Sequence, residues 1–596
     1  MDYKGYNTSD IVVDVLINWG AKVVFGIPGD GINSIVESLR LRKENIQFIL
    51  TRHEASAAFM ACAYSKYTGN LGVCIATTGP GATNLLTGLY DAKADGAPVI
   101  AITGTTYSDL IGSKYQQDVN LVQLFSDVAV YNNMINSPEH AKMATDIACR
   151  TAKSRRGVSH LTIPIDVQEK KMEGTFTSHK IAGHTSQNRH SKSIPDTKSL
   201  QKAGDMINAG TNIVLLVGQG ALDARNEVLD VAKKLNAPIV KALLGKAVIP
   251  DDSPYSLGGL GMLGTEPASE AMDKADTLIM IGTSFPYSDY LPRPGAVKGI
   301  QIDVDSERIG LRYPIDIGLV GDSSDTLREL LPLLEDKHDD SFLKNGQDSM
   351  KRWNGILYSR SNRKEDEPIK PQMFTSILSK NLDDDSIVSV DSGTNTVWAA
   401  RYIDIKKDMK FSLSGTLSSM ACAVPYSIAA QIAFPKRQSI AFTGDGGIAM
   451  LMSEFSTAVK YNLPIKVFVI KNDTLGMIRW EQTAFLGNPE HGVEFQPIDF
   501  AKVAEACGGK GYTIKKSSEI ESTIRTALSN NSPTIVEVYV DPFEPPLPPK
   551  VDLAFVNNLA KSFVKGQPYA KRISLTIIKD QMHEKLGKLL DDKKKK

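Results

Sequence analysis

Cysteine is scarce in this chain: five among 596 residues, Cys62, Cys74, Cys149, Cys422 and Cys507. They are scattered, with neither paired nor metal-ligand spacing, which excludes a disulfide scaffold and a thiolate zinc site. An odd, dispersed set fits buried thiols in a reducing compartment. Net charge is absent as well, since 68 basic residues balance 68 acidic ones. That leaves no electrostatic footprint for nucleic acid or an acidic polymer. No apolar run is long enough to span a bilayer. The start, Met1-Asp2-Tyr3-Lys4, carries no signal-peptide pattern. The expectation is a cytoplasmic protein without a nucleic-acid partner. What the chain does have is length, enough for roughly three to four domains, and an ordinary hydrophobic content of 42%.

Residues from about 8 to 170 alternate short apolar strands with helical segments. Thr8-Ser9-Asp10 reads as the cap of the first helix, and Phe48-Ile49-Leu50 and Gly72-Val73-Cys74-Ile75-Ala76 read as strands. The pattern predicts a doubly wound parallel-sheet domain. A polar stretch over 175–196 reads as a linker. A second α/β domain opens with the strand Asn212 to Val217. The charged, weakly periodic stretch 340–368 reads as a second linker, and a third α/β domain begins near Pro371. Pro545-Pro546-Leu547-Pro548-Pro549 closes the globular part. The expected units are 1–175, 196–340 and 369–548, all α/β with doubly wound parallel sheets, followed by a tail, 549–596.

The most informative stretch is Gly444-Asp445-Gly446-Gly447, followed by Asn472-Asp473-Thr474. The strands Ser439 to Phe442 and Ile465 to Ile470 flank it, with a helix expected over 449–460 between them. Asp445 and Asn472 then fall at carboxyl ends of parallel strands, the edge where such sheets bind ligands. Glycines let backbone N–H groups approach phosphate oxygens at a helix start. The Asp445 carboxylate, the Asn472 side chain and the Thr474 carbonyl are hard oxygen donors, the type magnesium takes beside substrate phosphates. This pattern resembles the diphosphate-binding motif of thiamine diphosphate enzymes.

The resemblance extends along nearly the whole chain. Arg52-His53-Glu54-Ala55-Ser56-Ala57-Ala58 resembles the segment that supplies the family's catalytic glutamate, here Glu54. Thr78-Gly79-Pro80-Gly81-Ala82-Thr83-Asn84 resembles the next loop of the cofactor wall. Gln117 matches a substrate-reaching glutamine, although Gln116 replaces the family's aromatic; a plain polar loop is the other reading. Gly393 and Thr394 are placed for diphosphate contact. Ser418-Ser419-Met420 matches the position of the apolar fulcrum that bends the cofactor. Leu475-Gly476-Met477-Ile478 resembles the helix over the thiazolium ring, with Glu481 beside the substrate. Gly446 and Gly447 complete the thiamine diphosphate set, and Asp445, Asn472 and Thr474 the Mg2+ set. The first and third domains would be a pseudo-repeat of thiamine diphosphate-binding folds. The family's site lies across a subunit interface, which implies a homodimer or homotetramer.

The central domain resembles the FAD domain of pyruvate oxidases. The matching positions are Gly218 and Gly220, Gly261-Met262-Leu263-Gly264, Thr283-Ser284-Phe285-Pro286-Tyr287, Asp303 and Asp322. The resemblance implies oxidative decarboxylation of pyruvate or a related 2-oxo acid. Electrons would pass to FAD and then to quinone or oxygen, giving acetate or acetyl phosphate. One alternative is an acetolactate-synthase-like carboligase with structural FAD, favoured by Met477. Another is a non-catalytic, nucleotide-binding regulatory subunit. In the tail, Leu575, Ile578, Met582, Leu586 and Leu589 fall at helical spacing before Lys593 to Lys596. A helix docked on the body, peripheral membrane contact and a tag remnant are the three readings of it.

Overall fold

The computed structural model describes residues 3–173, 192–362, 368–549 and 553–578. It contains three six-stranded sheets, all parallel in their pairing. In the first, β1 (Val23–Gly26), β2 (Gln47–Leu50), β3 (Gly72–Ala76), β4 (Val99–Thr105), β5 (Ala129–Met134) and β6 (Val158–Pro164) lie in the order β2-β1-β3-β4-β6-β5. The third is built from β13 (Ile387–Val390), β14 (Lys410–Ser412), β15 (Ser439–Gly444), β16 (Lys466–Lys471), β17 (Lys510–Ile514) and β18 (Thr534–Tyr539). Its order, β14-β13-β15-β16-β18-β17, repeats that of the first position for position. Between them stand β7 (Ile213–Val217), β8 (Ile239–Lys241), β9 (Ser256–Gly259), β10 (Thr277–Ile281), β11 (Lys298–Asp303) and β12 (Ile317–Val320), ordered β12-β11-β10-β7-β8-β9. Counted within that domain and read from the β9 edge, this is 3-2-1-4-5-6, the order of dinucleotide-binding sheets.

The strands are buried because helices cover both faces, as parallel sheets require; β3, β4, β6 and β16 have no exposed residue. The first and third domains share one core. The Glu54–Thr68 helix, rich in alanine, packs on the Ala423–Ala433 helix, and both belong to a single apolar cluster that includes Phe25, Ile49, Val467 and Phe455. Small side chains let the two helix axes approach closely, so one core can span two sheets.

Three local expectations change. The first helix runs Thr8–Asn18 with Asn7 as its cap: Asn7 accepts from the Asp10 N–H, while Thr8 and Ser9 are buried inside the helix. The stretch over 340–368 read as a linker contains a 21-residue helix, Ser341–Ser361, anchored by buried Leu343 and Trp353. The helix expected over 449–460 is broken: Asp445–Met450 and Phe455–Lys460 are separated at Leu451, whose φ of −134° leaves the helical region. The stretch 175–196 lies almost wholly outside the described residues. In the tail, a helix over Leu553–Val564 continues the folded chain beyond the prolines. Leu559 and Ile573 are buried against Trp480, Ala484 and Phe543, so the described part is docked on the body. Leu575 and Ile578 are exposed, and Met582, Leu586, Leu589 and the terminal lysines lie outside the described residues. Cys62, Cys74, Cys149 and Cys422 are buried and Cys507 half-buried, all as free thiols. Among the described residues no helix is long and apolar enough to cross a membrane.

Candidate active site

The richest cluster forms at the carboxyl edge of the third sheet. There β14 lies on one side of β13 and β15 on the other, so the chain order reverses and a crevice opens. Asp445, one residue past β15, is 4% exposed. Its carboxylate accepts from the N–H groups of Asn472 (2.9 Å), Asp473 (2.5 Å) and Gly446 (2.9 Å). Those three bonds lock the turn after β15 to the turn after β16. Burial pushes the Asp445 carboxyl up to about 6, with the backbone donors offsetting only part of that cost. Among the described residues no lysine or arginine pairs with it. The Asn472 side-chain oxygen accepts from the Thr474 N–H (3.2 Å), and the Thr474 carbonyl accepts from the Gly476 N–H (2.9 Å).

Residues from separate strand ends converge on this point. A Cβ on Gly476 would lie 3.1 Å from the Asn472 amide nitrogen and 3.2 Å from Thr394. One on Gly446 would meet Phe495 at 2.9 Å, Leu475 at 3.3 Å and the Met420 methyl at 3.4 Å. Gly393 has φ +135°, a conformation open to glycine, and starts the helix Thr394–Tyr402. The structure therefore brings Thr394, Met420, Gly446, Asn472, Leu475 and Gly476 to one crevice around Asp445. Ser418, Ile478 and Glu481 are exposed, while Ser419 and Met477 are half-buried.

Glu54 forms a second centre, in the first domain. It is buried at the start of its helix, where His53 Nδ1 accepts from the Ala55 N–H (3.1 Å). Asn84 donates to Glu54 Oε2 (3.0 Å), and a Cβ on Gly81 would stand 3.2 Å from Oε1. The loop resembling the cofactor wall thus touches Glu54. Gln117 has φ +62° and accepts from the Thr78 hydroxyl through its carbonyl (3.2 Å). It lines a cavity of about 560 Å³ with Thr105, Lys114, Tyr115 and Met134. Among the described residues no hydrogen bond joins Glu54 to the Asp445 group.

Comparison with known proteins matches three stretches of the chain to one family. Residues 6–124 match the family described as thiamine pyrophosphate enzyme, N-terminal TPP binding domain. Residues 200–330 match its central domain and 391–538 its C-terminal TPP binding domain. Over 558 residues the chain is 42% identical to the “Putative thiamine pyrophosphate-containing protein YdaP” of Bacillus subtilis, covering 93% of this chain and 95% of that protein.

The chain is a thiamine pyrophosphate enzyme.

It is also 32% identical to the “Probable acetolactate synthase large subunit” of Methanocaldococcus jannaschii, over 91% of this chain and 93% of that one. To the pyruvate oxidase of Lactiplantibacillus plantarum it is 28% identical, over 89% and 88% respectively. A thiamine pyrophosphate enzyme must hold a diphosphate, and the third-sheet crevice has the chemistry to do so. A buried carboxylate without a cationic partner, a side-chain amide oxygen and a backbone carbonyl are a donor set that fits a hard divalent cation.

Two neighbours, Asn395 and Phe495, escaped the sequence reading, and a third, Asp391, was read only as part of the strand end Asp391-Ser392-Gly393-Thr394 offering backbone N–H groups. Asp391, at the end of β13, accepts from Thr443 (2.9 Å) and Ser392 (2.9 Å) and closes on Gly447, where a Cβ would stand 2.5 Å from its oxygen. Asn395 donates to the Asp391 carbonyl (2.7 Å) and borders both Gly393 and Gly444. Phe495 covers Gly446. The strand-end position of Asp391-Ser392-Gly393 was the available signal for Asp391. Nothing local marks Phe495, which arrives from a distant loop.

In the central domain, β7 and β10 flank the order reversal. Gly218 and Gly220 pack directly against Gly282, and their N–H groups donate to the Ile281 and Gly282 carbonyls (3.0 Å each). The glycines thus serve close backbone contact between two turns, and these N–H groups are already engaged. Gly261, with φ +92°, meets Phe285. The Met262 and Gly264 carbonyls accept from buried Arg401 at 2.6 and 3.3 Å. Thr283 and Phe285 are buried, while Tyr287 is 61% exposed beside Phe285. Burial pushes the Asp303 carboxyl up, and one of its oxygens accepts from the Asp305 N–H (3.0 Å). Asp322 caps the Ser323–Leu330 helix and pairs with Lys192 at 3.0 Å, so its observed work is structural.

Proposed function

We propose that this enzyme oxidatively decarboxylates pyruvate or a related 2-oxo acid, passing electrons to FAD and then to quinone or oxygen. The observation that carries the reading is the central sheet. Its strand order is that of dinucleotide-binding domains, and its reversal point lies beneath Thr283–Tyr287, with an exposed aromatic ring beside it. In this reading 1–175 and 369–548 bind thiamine diphosphate and 196–340 binds FAD, and the product is acetate or acetyl phosphate plus carbon dioxide. Thiamine diphosphate supplies the carbanion stabilisation that side chains lack, and FAD accepts the two electrons.

The chain's own residues then have separable tasks. Asp445, Asn472 and the Thr474 carbonyl hold Mg2+ and through it the diphosphate, with Gly393, Thr394, Gly446 and Gly447 offering close backbone approach. Met420 props the cofactor, and Leu475 to Ile478 cover it. Glu54 keeps a proton at the pyrimidine ring nitrogen, oriented by Asn84. Gln117 and Glu481 meet the substrate. A site completed by a second chain, in a homodimer or homotetramer, is what the family resemblance implies. Exposed Phe485, Leu486 and Val564 lie on and beside the docked tail and support peripheral membrane contact there.

A carboligase with structural FAD is the second reading. Met477 favours it, as does similarity to acetolactate synthases. The deciding experiment mixes purified protein anaerobically with thiamine diphosphate, Mg2+ and pyruvate while flavin absorbance is followed. Bleaching is expected, and reoxidation by quinone or oxygen then names the acceptor. Flavin that stays oxidised while acetolactate accumulates would establish the carboligase instead.

A further inference from the structure

A buried polar cluster sits where the three domains meet. Lys66 leaves the last turn of the Glu54–Thr68 helix. Its ammonium donates to Asp95 (2.5 Å), to the Leu413 carbonyl (2.9 Å) and to the Tyr426 hydroxyl (2.8 Å). Tyr426 donates in turn to Asp91 (2.5 Å). Asp91 and Tyr426 are fully buried and Asp95 is 2% exposed.

Asp95 is the hub. One carboxylate oxygen takes the Gly415 N–H (2.9 Å) together with Lys66, and the other takes the Thr416 N–H (2.8 Å). Its backbone carbonyl accepts from Gln219 of the central domain (2.7 Å). A single first-domain residue therefore grips the loop before the Ala423–Ala433 helix and touches the 218–221 turn.

That loop needs a grip. Ser418 (φ +57°) and Ala421 (φ +73°) are non-glycine residues in the left-handed region, a conformation that persists only where surroundings impose it. The far end is fixed at Cys422, whose thiol donates to the Val390 carbonyl (3.5 Å) and reaches the Asp391 carboxylate (4.0 Å). The near end is fixed by Asp95. Between the two stands Met420, its methyl over Gly446. Charges are withdrawn from water only at a cost, which full pairing with Lys66 and two N–H groups offsets here. The result is a rigid clamp rather than a loop free to drift.

We propose that Asp95, held by Lys66 and Tyr426, is a positioning residue for the thiamine diphosphate site: it fixes the 413–421 loop so that Met420 stands over Gly446. The inference rests on the reading of Met420 as a cofactor contact, and the test separates the two. Full-length protein is stripped of cofactor and titrated with thiamine diphosphate at saturating Mg2+ by calorimetry. Four forms are compared: wild type, Asp95→Asn, Met420→Ala and the double variant. Each single substitution should weaken binding about tenfold, some 1.4 kcal/mol, and the double variant should be close to the weaker single one, because both act through the same side chain. A hundredfold loss in the double variant overturns the proposal, since Asp95 would then act independently of Met420. So does a variant that melts earlier but binds as wild type, which is a merely structural role. If Met420→Ala binds normally, the reading of Met420 fails and the proposal with it; if only Asp95→Asn binds normally, the proposal alone fails. Should Asp95→Asn not fold, Tyr426→Phe removes one hydroxyl from the same cluster and enters the same cycle, with about a twofold loss expected that vanishes in the Met420→Ala background.

Discussion

Asp391 shows how one buried carboxylate organises the crevice around Asp445. It joins the ends of β13 and β15 through Ser392 and Thr443 and blocks any side chain at position 447. Burial pushes it from 3.8 up to about 6. Because the folded value lies above the unfolded one, its contribution to stability is complete below about pH 4 and lost as pH rises through about 6. Asn at this position cannot ionise but accepts fewer hydrogen bonds. Asp391→Asn should therefore be the less stable cofactor-free protein at about pH 4, with the gap narrowing by roughly 2–3 kcal/mol by about pH 7. Denaturant melts of both proteins across that range check this, and a gap that stays constant would sink it. At this scale the sequence was partly legible. Asp445 and Asn472 were visible because glycines and apolar strands frame them. Glu54 was singled out by resemblance and Asp391 only as part of a strand end, whereas Asn395 matters only through partners brought by folding. The cap at Asn7 was misplaced onto Thr8-Ser9-Asp10, since four capping-type residues follow one another and only the folded chain selects among them.

The segment from Asp445 to Tyr461 ties the third domain to the strand end before Glu54 within the same chain. Its helix breaks at Leu451, and the break lets Glu454 turn back to the end of β2. Glu454 is fully buried and accepts from the Arg52 N–H at 3.1 and 3.3 Å. Tyr461 accepts from the Leu50 N–H (2.8 Å), and the Ser456 hydroxyl takes the Arg52 guanidinium (2.9 Å). The strand end that launches Glu54 is thus clamped from the third domain. Apolar spacing alone predicts an unbroken helix, because the competing partner is some 400 residues away in sequence. The Ser341–Ser361 helix was missed for a related reason: its buried stripe is narrow, and most of its residues are polar, charged or only half-buried. Glu454→Ala should strip the Arg52 N–H of its acceptor, at about 1–3 kcal/mol. It should also lower kcat through Glu54 while leaving thiamine diphosphate affinity near wild type, and Glu454→Gln, which keeps an acceptor, should recover most of both. Urea unfolding, cofactor titration and steady-state rates measure the three quantities. An affinity loss as large as the kcat loss would mean that the segment acts on the diphosphate crevice instead.

At the scale of the whole molecule, three α/β domains could be read from alternating strands and helices, but strand order could not, because it is decided by which sheet edges the helices leave open. The identical order of the first and third sheets and the dinucleotide order of the second emerge only in three dimensions. The tail was equally undetermined, since its apolar spacing served docking and lipid contact alike. The described part is docked. Trp480, 1% exposed, lies under Leu559 and Ile573, Asn558 donates to the Phe485 carbonyl (2.7 Å), and Gln567 accepts from the Glu490 N–H (2.8 Å). These contacts brace the Gly476–Trp480 helix, whose first turn borders the crevice around Asp445. Truncation after residue 550 uncovers that patch but leaves the cores of the three sheets intact. The other three tryptophans, Trp19, Trp353 and Trp398, are buried elsewhere, so a red shift in emission reports Trp480. We expect that shift, together with thiamine diphosphate binding about tenfold weaker, some 1.4 kcal/mol, and little change in the far-ultraviolet circular dichroism of the body. Unchanged emission and affinity would mean that the 476–480 helix stands without the tail. A shift in emission with normal affinity would confine the brace to Trp480 and free the crevice from it.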